Sequence, residues 1–204
     1  MVYVYESKPI DTFDSHFIIS GRDQFENDLL IKYGFREWGL IWFHTDKYSS
    51  GHIYLKLLPH EKSLDDVPDE VLQDCLQLCK SNSIQGNKLG QCKIITTPWH
   101  NLRKSGFMKP GEVSYKSTKN CKKFQCYERN QKLLNRLCKT RVELYDAEPL
   151  LHQAKKEKDA CALLEYVEAN HDKLIEEEKL RKREKKLKKR NPDKEDELVN
   201  DQSV

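Results

Sequence analysis

No segment of this chain approaches the roughly 20 consecutive apolar residues that a membrane-spanning helix needs. The longest uncharged apolar stretch runs only from Trp38 to Thr45, so no membrane partner is expected. The opening residues Met1 to Pro9 hold no long apolar core and no cleavage-like pattern, which is not the composition of a secretory signal. Seven cysteines are present, yet none forms a C-x-x-C pair. Cys75 and Cys79 are one helical turn apart, and Cys121 and Cys126 are five apart in a polar segment. These spacings do not fit the common thiolate zinc sites, and they read as free thiols in a reducing cytosol, with the nucleus as a second expected location. A glycine-rich phosphate loop, a Ser-His-Asp pattern and an internal repeat are also missing. No metal and no cofactor is expected.

What is present is unevenly spread. The net charge is only +3 over 204 residues, but Lys179 to Arg190 is almost wholly basic, and Asp193 to Asp201 is acidic. The basic run comprises Lys179, Arg181, Lys182, Arg183, Lys185, Lys186, Lys188, Lys189 and Arg190. A near-neutral total with such local asymmetry points to a polyanionic partner at one place. A solvated helical face and a nuclear-import signal are the other readings of the same run. Hydrophobic content of 37% against 34% charged residues fits a globular domain that carries a polar helical tail.

Along the chain, Val2 to Tyr5 and Phe17 to Ser20 read as strands. Asp23 is placed to cap a helix that starts at Gln24 and closes at Gly34. Leu40 to His44 and His52 to Leu58 form a strand pair. Alternation puts Ile53, Leu55 and Leu57 on one face and His52, Tyr54 and Lys56 on the other, while Trp42 and His44 share a face. Val71, Leu72, Cys75, Leu76, Leu78 and Cys79 make a helical stripe from Glu70 to Ser81. Cys92 to Thr97 reads as a strand, Pro110-Gly111 as a turn into Glu112 to Tyr115, and Lys122 to Tyr127 as a weaker strand. From Asn130 a helical pattern takes over, and beyond Leu180 only Leu187 is apolar. The expected fold is α+β: a mixed or antiparallel sheet with two or more packed helices, a long charged coiled-coil-like helix, and a disordered tail. The expected divisions are residues 1–145, 146–190 and 191–204.

Two constellations carry chemistry. The first gathers Trp42, His44, Asp46, Lys47, Ser49, Ser50, His52 and Lys56 around one turn. Three roles are open to it: a metal ligand set, general acid–base cleavage of a phosphodiester by His44 and His52, and donation to a nucleic-acid backbone. Backbone donation fits best, because no nucleophile or paired carboxylate accompanies the imidazoles. The bland alternative is a hairpin that only satisfies itself. The second constellation is Trp99, His100, Arg103 and Lys104, with Lys109 and Gly111 close behind. An aromatic beside cations can hold an unpaired base and its phosphate, and an indole packed against a helix is the alternative.

Several of these segments resemble the NFACT-R family in order. Gly21-Arg-Asp-Gln-Phe-Glu-Asn27 is similar to its G-K-(D/N)-x-x-x-N opening. Trp42-Phe43-His44 with Ser50-Gly51-His52-Ile53 is similar to its W-F-H…S-x-H-V core, and Lys109-Pro110-Gly111-Glu112-Val113 to its K-P-G-x-V close. Asn82 to Gly86 and Thr97 to Leu102 resemble the stand-alone branch that ends in a coiled coil. The likeness covers about residues 1–145. One departure is Leu40, where the family often has an acidic residue two places before the tryptophan. The resemblance implies a non-catalytic nucleic-acid binder. The ligand it implies is tRNA or large-subunit ribosomal RNA in translation or ribosome quality control, with DNA and ribosome-associated proteins as further partners. It implies a binding face of Arg22, Trp42, His44, Ser50, His52, Lys109 and Gly111. A helical partner for the C-terminal segment, which would make the chain a protein-interaction adaptor, is the remaining expectation.

Overall fold

The computed structural model describes residues 1–10 and 14–190; the tail expected to be disordered, 191–204, lies outside them. Nine strands and six α-helices follow one another among the described residues. The strands β1 (Val2–Ser7), β2 (His16–Gly21), β3 (Leu40–Thr45), β4 (Ile53–Lys56), β5 (Cys92–Pro98), β8 (Lys122–Cys126) and β9 (Val142–Leu144) form one sheet in the order β8-β5-β3-β4-β2-β1-β9. Every pairing in it is antiparallel. The short strands β6 (Leu102–Arg103) and β7 (Ser114–Tyr115) form a separate ribbon. The α+β expectation therefore holds, with an antiparallel sheet.

Helices cover both faces of the sheet. On one face α2 (Asp69–Ser81) and α3 (Gln131–Thr140) pack over Ile18, Ile41, Phe43, Ile53 and Leu55. On the other face α1 (Gln24–Tyr33), α4 (Glu148–Glu157), α5 (Ala162–Ala169) and the start of α6 (His171–Arg190) enclose Val4, Ile19, Trp42 and Tyr54. The central strands are therefore buried on both sides, which is why Leu40 to Phe43 is a continuous apolar run.

The entry into α1 is local chemistry written in the sequence. Asp23 caps the helix by accepting from the amides of Phe25 and Glu26 at 3.0 and 3.2 Å. Asn27 reaches back to accept from the Gly21 amide at 3.2 Å. A Cβ on Gly21 would stand 2.5 Å from Asn27 Oδ1, so the approach of β2 to α1 needs glycine there. The spacing of Gly21, Asp23 and Asn27 is thus explained by strand-to-helix geometry.

Two expectations change. The helical pattern after Asn130 is interrupted by β9, which pairs with β1 and supplies an edge of the sheet. The segment 146–190 is three helices, and Leu151, Ala154, Leu163, Val167 and Leu174 belong to the same buried cluster as Val2, Val4 and Ile19. The core of the sheet thus continues past residue 145. Only the second half of α6 runs free of it: Lys179, Lys182, Arg183, Lys185, Lys186 and Lys189 are exposed. Arg181 is half-buried, lies 5.0 Å over the Tyr145 ring and pairs with Glu177. The side chains of Lys188 and Arg190 lie outside the described set. If α4 to α6 are part of the core, Leu151→Ala and Leu174→Ala should each lower the free energy of unfolding by about 2–4 kcal/mol. Urea titration followed by circular dichroism measures this, and unchanged midpoints would show those helices contribute nothing to the domain.

Candidate nucleic-acid interface

The pairing of β3 with β4 sets Trp42 opposite Tyr54 and Phe43 opposite Ile53. Continued by one step, that register faces His44 with His52 at the end of the sheet. Their rings meet edge to face with centroids 5.4 Å apart, and His44 stacks flat on Trp42 at 5.4 Å and 5°. Trp42 also meets His52 and Tyr115 edge-on. Both imidazoles belong to the sheet's aromatic core and show only an edge to solvent.

Burial decides their charge. His52 is 2% exposed, and desolvation together with the neighbouring His44 pushes its pKa down from 6.5 to about 3. Desolvation lowers His44 as well, against the pull of its bond to the Thr45 carbonyl at 2.7 Å. Both rings are neutral at neutral pH. His44 spends its one N–H on the Thr45 carbonyl, which leaves its other ring nitrogen only to accept, and neither ring holds the proton that a general acid would give.

A loop closes over this pair. Asp28 on α1 accepts from Lys104 Nζ and from the Gly111 amide, both at 2.8 Å. The same ammonium donates to the carbonyls of Lys109 and Glu112 at 2.7 and 3.0 Å. Gly111 takes φ +77 above Gln24, a backbone state that favours glycine. Asp28 thus fastens the 104–112 loop beside His52. On the other side Ser83 Oγ donates to the Ser49 carbonyl at 2.7 Å, and the Gly51 amide to Asn82. This ties the turn after β3 to the end of α2.

Between these fasteners runs a cleft of about 700 Å³. Arg22, His44, Ser49, Ser50, His52 and Gly111, all singled out by sequence, line it. Two more arginines join them from distant segments. Arg129 precedes α3, and Arg141 lies 4.9 Å over the Tyr3 ring and is bound to Glu143 and Glu178 at 2.8 Å. Arg22 is paired with Asp23 at 3.0 Å and is half exposed. A smaller pocket of about 310 Å³ adjoins the cleft through His44, Ser49, His52 and Gly111 and includes Trp42 and the exposed Lys47.

Other predicted residues stand elsewhere. Trp42 is 1% exposed, so it is a support for His44 and offers no free face to a base. Lys56 pairs across from Leu40 at the far end of the strand pair, about 13 Å from His52 at strand spacing. Burial depresses its ammonium pKa, and it donates to the Leu57 carbonyl. Trp99 and His100 line a second cavity of about 590 Å³ at that opposite end. Trp99 packs so closely on Gly34 that a Cβ there would lie 2.3 Å from the indole. The packed-indole alternative holds for it. Arg103 is exposed on β6, Lys109 is exposed beside the cleft-lining Pro110, and Lys104 is spent on Asp28 and two carbonyls. Among the described residues no group of three or more His, Cys, Asp or Glu could hold a metal ion, and no helix is long and apolar enough to cross a membrane. Sequence reasoning missed Asp28, Arg129 and Arg141. Only Asp28 had a signal, its place next to the Gly21–Asn27 motif.

The buried imidazole has a measurable consequence. An unfolded His52 takes up a proton near 6.5, whereas the folded one refuses it until about pH 3. The stability it contributes is therefore complete above 6.5 and is lost as pH falls through that window, at about 1.4 kcal/mol per unit. Between about pH 7 and about pH 5, the wild type should lose about 2 kcal/mol more than His52→Gln in urea unfolding. Equal losses would show that His52 is not held neutral.

The sequence matches known proteins along much of its length. The profile of the NFACT protein RNA binding domain matches residues 1–117. Protein JLP2 of Saccharomyces cerevisiae is 57% identical over 206 residues, covering 100% of this chain and 99% of that one. Coiled-coil domain-containing protein 25 of Danio rerio is 43% identical over 145 residues, covering 71% of this chain and 68% of its own. Among solved structures, the C-terminal part of the fibronectin/fibrinogen-binding protein from Streptococcus suis matches with a TM-score of 0.49 at 20% identity, over 60% of this chain and 45% of that one. With its profile covering more than half of the sequence and two stand-alone relatives aligned along most of theirs, the chain belongs to the NFACT-R family of RNA-binding domains.

Proposed function

We propose that this protein binds RNA without cleaving it, and that the cleft at the end of the sheet is the binding surface. The ligand class we propose is tRNA or ribosomal RNA of the large subunit, in translation or ribosome quality control. The proposed place is the cytoplasm, and also the nucleus. The observation that carries the reading is the convergence of Arg22, Arg129 and Arg141 with Ser49, Ser50 and the edge of His44 in one cleft. Guanidinium forks and hydroxyls are the donors that hold phosphate oxygens. Among the described residues Asp23 is the one carboxylate lining that cleft; it pairs with Arg22, while Arg141 is held by Glu143 and Glu178 behind the wall, and Arg129 brings its guanidinium with no carboxylate partner among them.

The neutral state of both imidazoles supports binding over cleavage. A paired acid–base mechanism at neutral pH needs one ring protonated, and burial opposes that for His44 and His52 alike. The basic half of α6 adds a second, looser cation source. Glu178 of that helix accepts from the cleft residue Arg141, so the exposed lysines beyond it extend from the cleft's rim. Their contribution is electrostatic and salt-sensitive. DNA offers the same phosphates, and the 2′-hydroxyl is the group through which an RNA preference would act.

Fluorescence anisotropy with a labelled tRNA transcript tests this. The Arg22→Glu, Arg129→Glu double variant should weaken binding at least about 10-fold and flatten the log–log salt dependence by about 0.7–0.9 per lost phosphate contact. The transcript should stay intact with and without chelator. Unchanged affinity in the double variant would move the surface elsewhere, and cleavage that disappears in His44→Ala would replace binding by phosphodiester hydrolysis.

A further inference from the structure

One aromatic side chain on the surface has no packing role. Phe107 is fully exposed, at 102% of the reference area. It sits at the tip of the 104–112 loop, and next to it a Cβ on Gly106 would meet nothing within 4 Å. Exposed phenylalanines usually sit on mobile tips. This one sits on a loop whose neck is closed by hydrogen bonds from Lys104 Nζ to Asp28, Lys109 and Glu112, and from the Gly111 amide to Asp28. A turn from the Met108 amide to the Ser105 carbonyl braces the tip itself. The loop is built to hold the ring out in water.

The loop also abuts the cleft, because its residues Pro110 and Gly111 form part of the cleft wall. Its exposed charges nearby are the cations Arg103 and Lys109 and one acid, Glu112, whose carboxylate is turned back onto the Lys109 amide. On α1 a second exposed ring, Phe25 at 63%, lines the same cleft. A pre-positioned ring on a loop that also carries cations and forms part of the wall of an arginine-bearing cleft can stack on an unpaired base while the phosphates are held alongside. A lipid surface would require a larger continuous apolar area than one ring beside a polar cleft.

We infer that Phe107 is a stacking platform for an unpaired nucleotide, which makes this surface selective for single-stranded or looped-out RNA over continuous duplex. The inference rests on the RNA-binding reading and deepens it. A duplex keeps its bases stacked on one another and presents no free base face to a protruding ring.

The test compares a short unstructured RNA strand with the same strand annealed to its complement, for the full chain and for Phe107→Ala and Phe107→Trp. Phe107 touches no core residue, so both variants should fold. Phe107→Ala should lose roughly 5- to 150-fold in affinity for the single strand, with the salt slope unchanged, since a stacked base releases no counterion. Its affinity for the duplex should not change. Phe107→Trp should keep the wild-type affinity and lose emission when the single strand is added. Equal single-strand affinity for wild type and Phe107→Ala would overturn the inference, as would equal loss on strand and duplex. If Phe107→Ala instead abolished binding to anionic vesicles and left RNA affinity unchanged, the ring would be a membrane contact and the inference would fall. Loss of affinity in the arginine double variant alone would leave the RNA reading standing without the platform. No RNA binding by the wild type would remove both.

Discussion

The register between β3 and β4 is the constraint on which the site depends. Trp42 facing Tyr54 puts His44 against His52 at the sheet's end, with Phe43, Ile53 and Leu55 turned to the opposite core. A slip of one residue would exchange the two faces, pushing imidazoles among α2 and α3 and apolar side chains into the cleft. The neighbours on both sides, β5 and β2, hold the pair in place. The stacked and edge-on rings of Trp42, His44, His52, Tyr54 and Tyr115 then turn the end of a hydrophobic core into a rigid polar edge.

Around that edge the protein uses few fasteners. Asp28 fixes the loop that carries Gly111 and Phe107, Ser83 and Asn82 fix the turn that carries Ser49 to Gly51, and Asp23 with Asn27 fixes the approach of Gly21 to α1. Each fastener serves a backbone position, so the segments that resemble family motifs act mainly as architecture. The groups facing a ligand are fewer: the cleft arginines, of which Arg22 and Arg141 already hold carboxylates, the exposed Ser49, Lys47 and Lys109, and the protruding rings. This division explains how a cleft can be strongly specified by sequence and still present a simple surface of cations and aromatics.

Much of the sheet was legible because its alternation and caps are local. Asp23, Gly34 and the stripe from Val71 to Cys79 stand where the pattern puts them. Of the face that the family resemblance implied, Arg22, His44, Ser50, His52 and Gly111 line one cleft, whereas Trp42 and Lys109 do not. What alternation cannot tell is which face is covered. Trp42 and Tyr54 lie on a face that looked polar because His44 and His52 share it, and helices from residues 24–33 and 148–190 bury it. Lys56 shares that face but sits a strand's length away, a separation that spacing in sequence conceals. Sequence leaves Trp99 open between a free aromatic and a packed indole, and the closeness of Gly34 to its ring shows the packing. Arg129 and Arg141 carry no motif, and only the packing of α3 and β9 brings them to the cleft. Phe107 is invisible as a site in sequence, because nothing there shows that its loop is tied at the neck.

The central claim is that RNA lies in the cleft at the His44–His52 end of the sheet. Photocrosslinking the full chain to RNA substituted with thiouridine, followed by peptide mass spectrometry, tests it most directly. Crosslinks should fall in the segments bearing Arg22 and Phe25, Ser49 and Ser50, Phe107 to Gly111, and Arg129. Crosslinks confined to the opposite cavity around Trp99 and His100, or to α6 alone, would contradict the account.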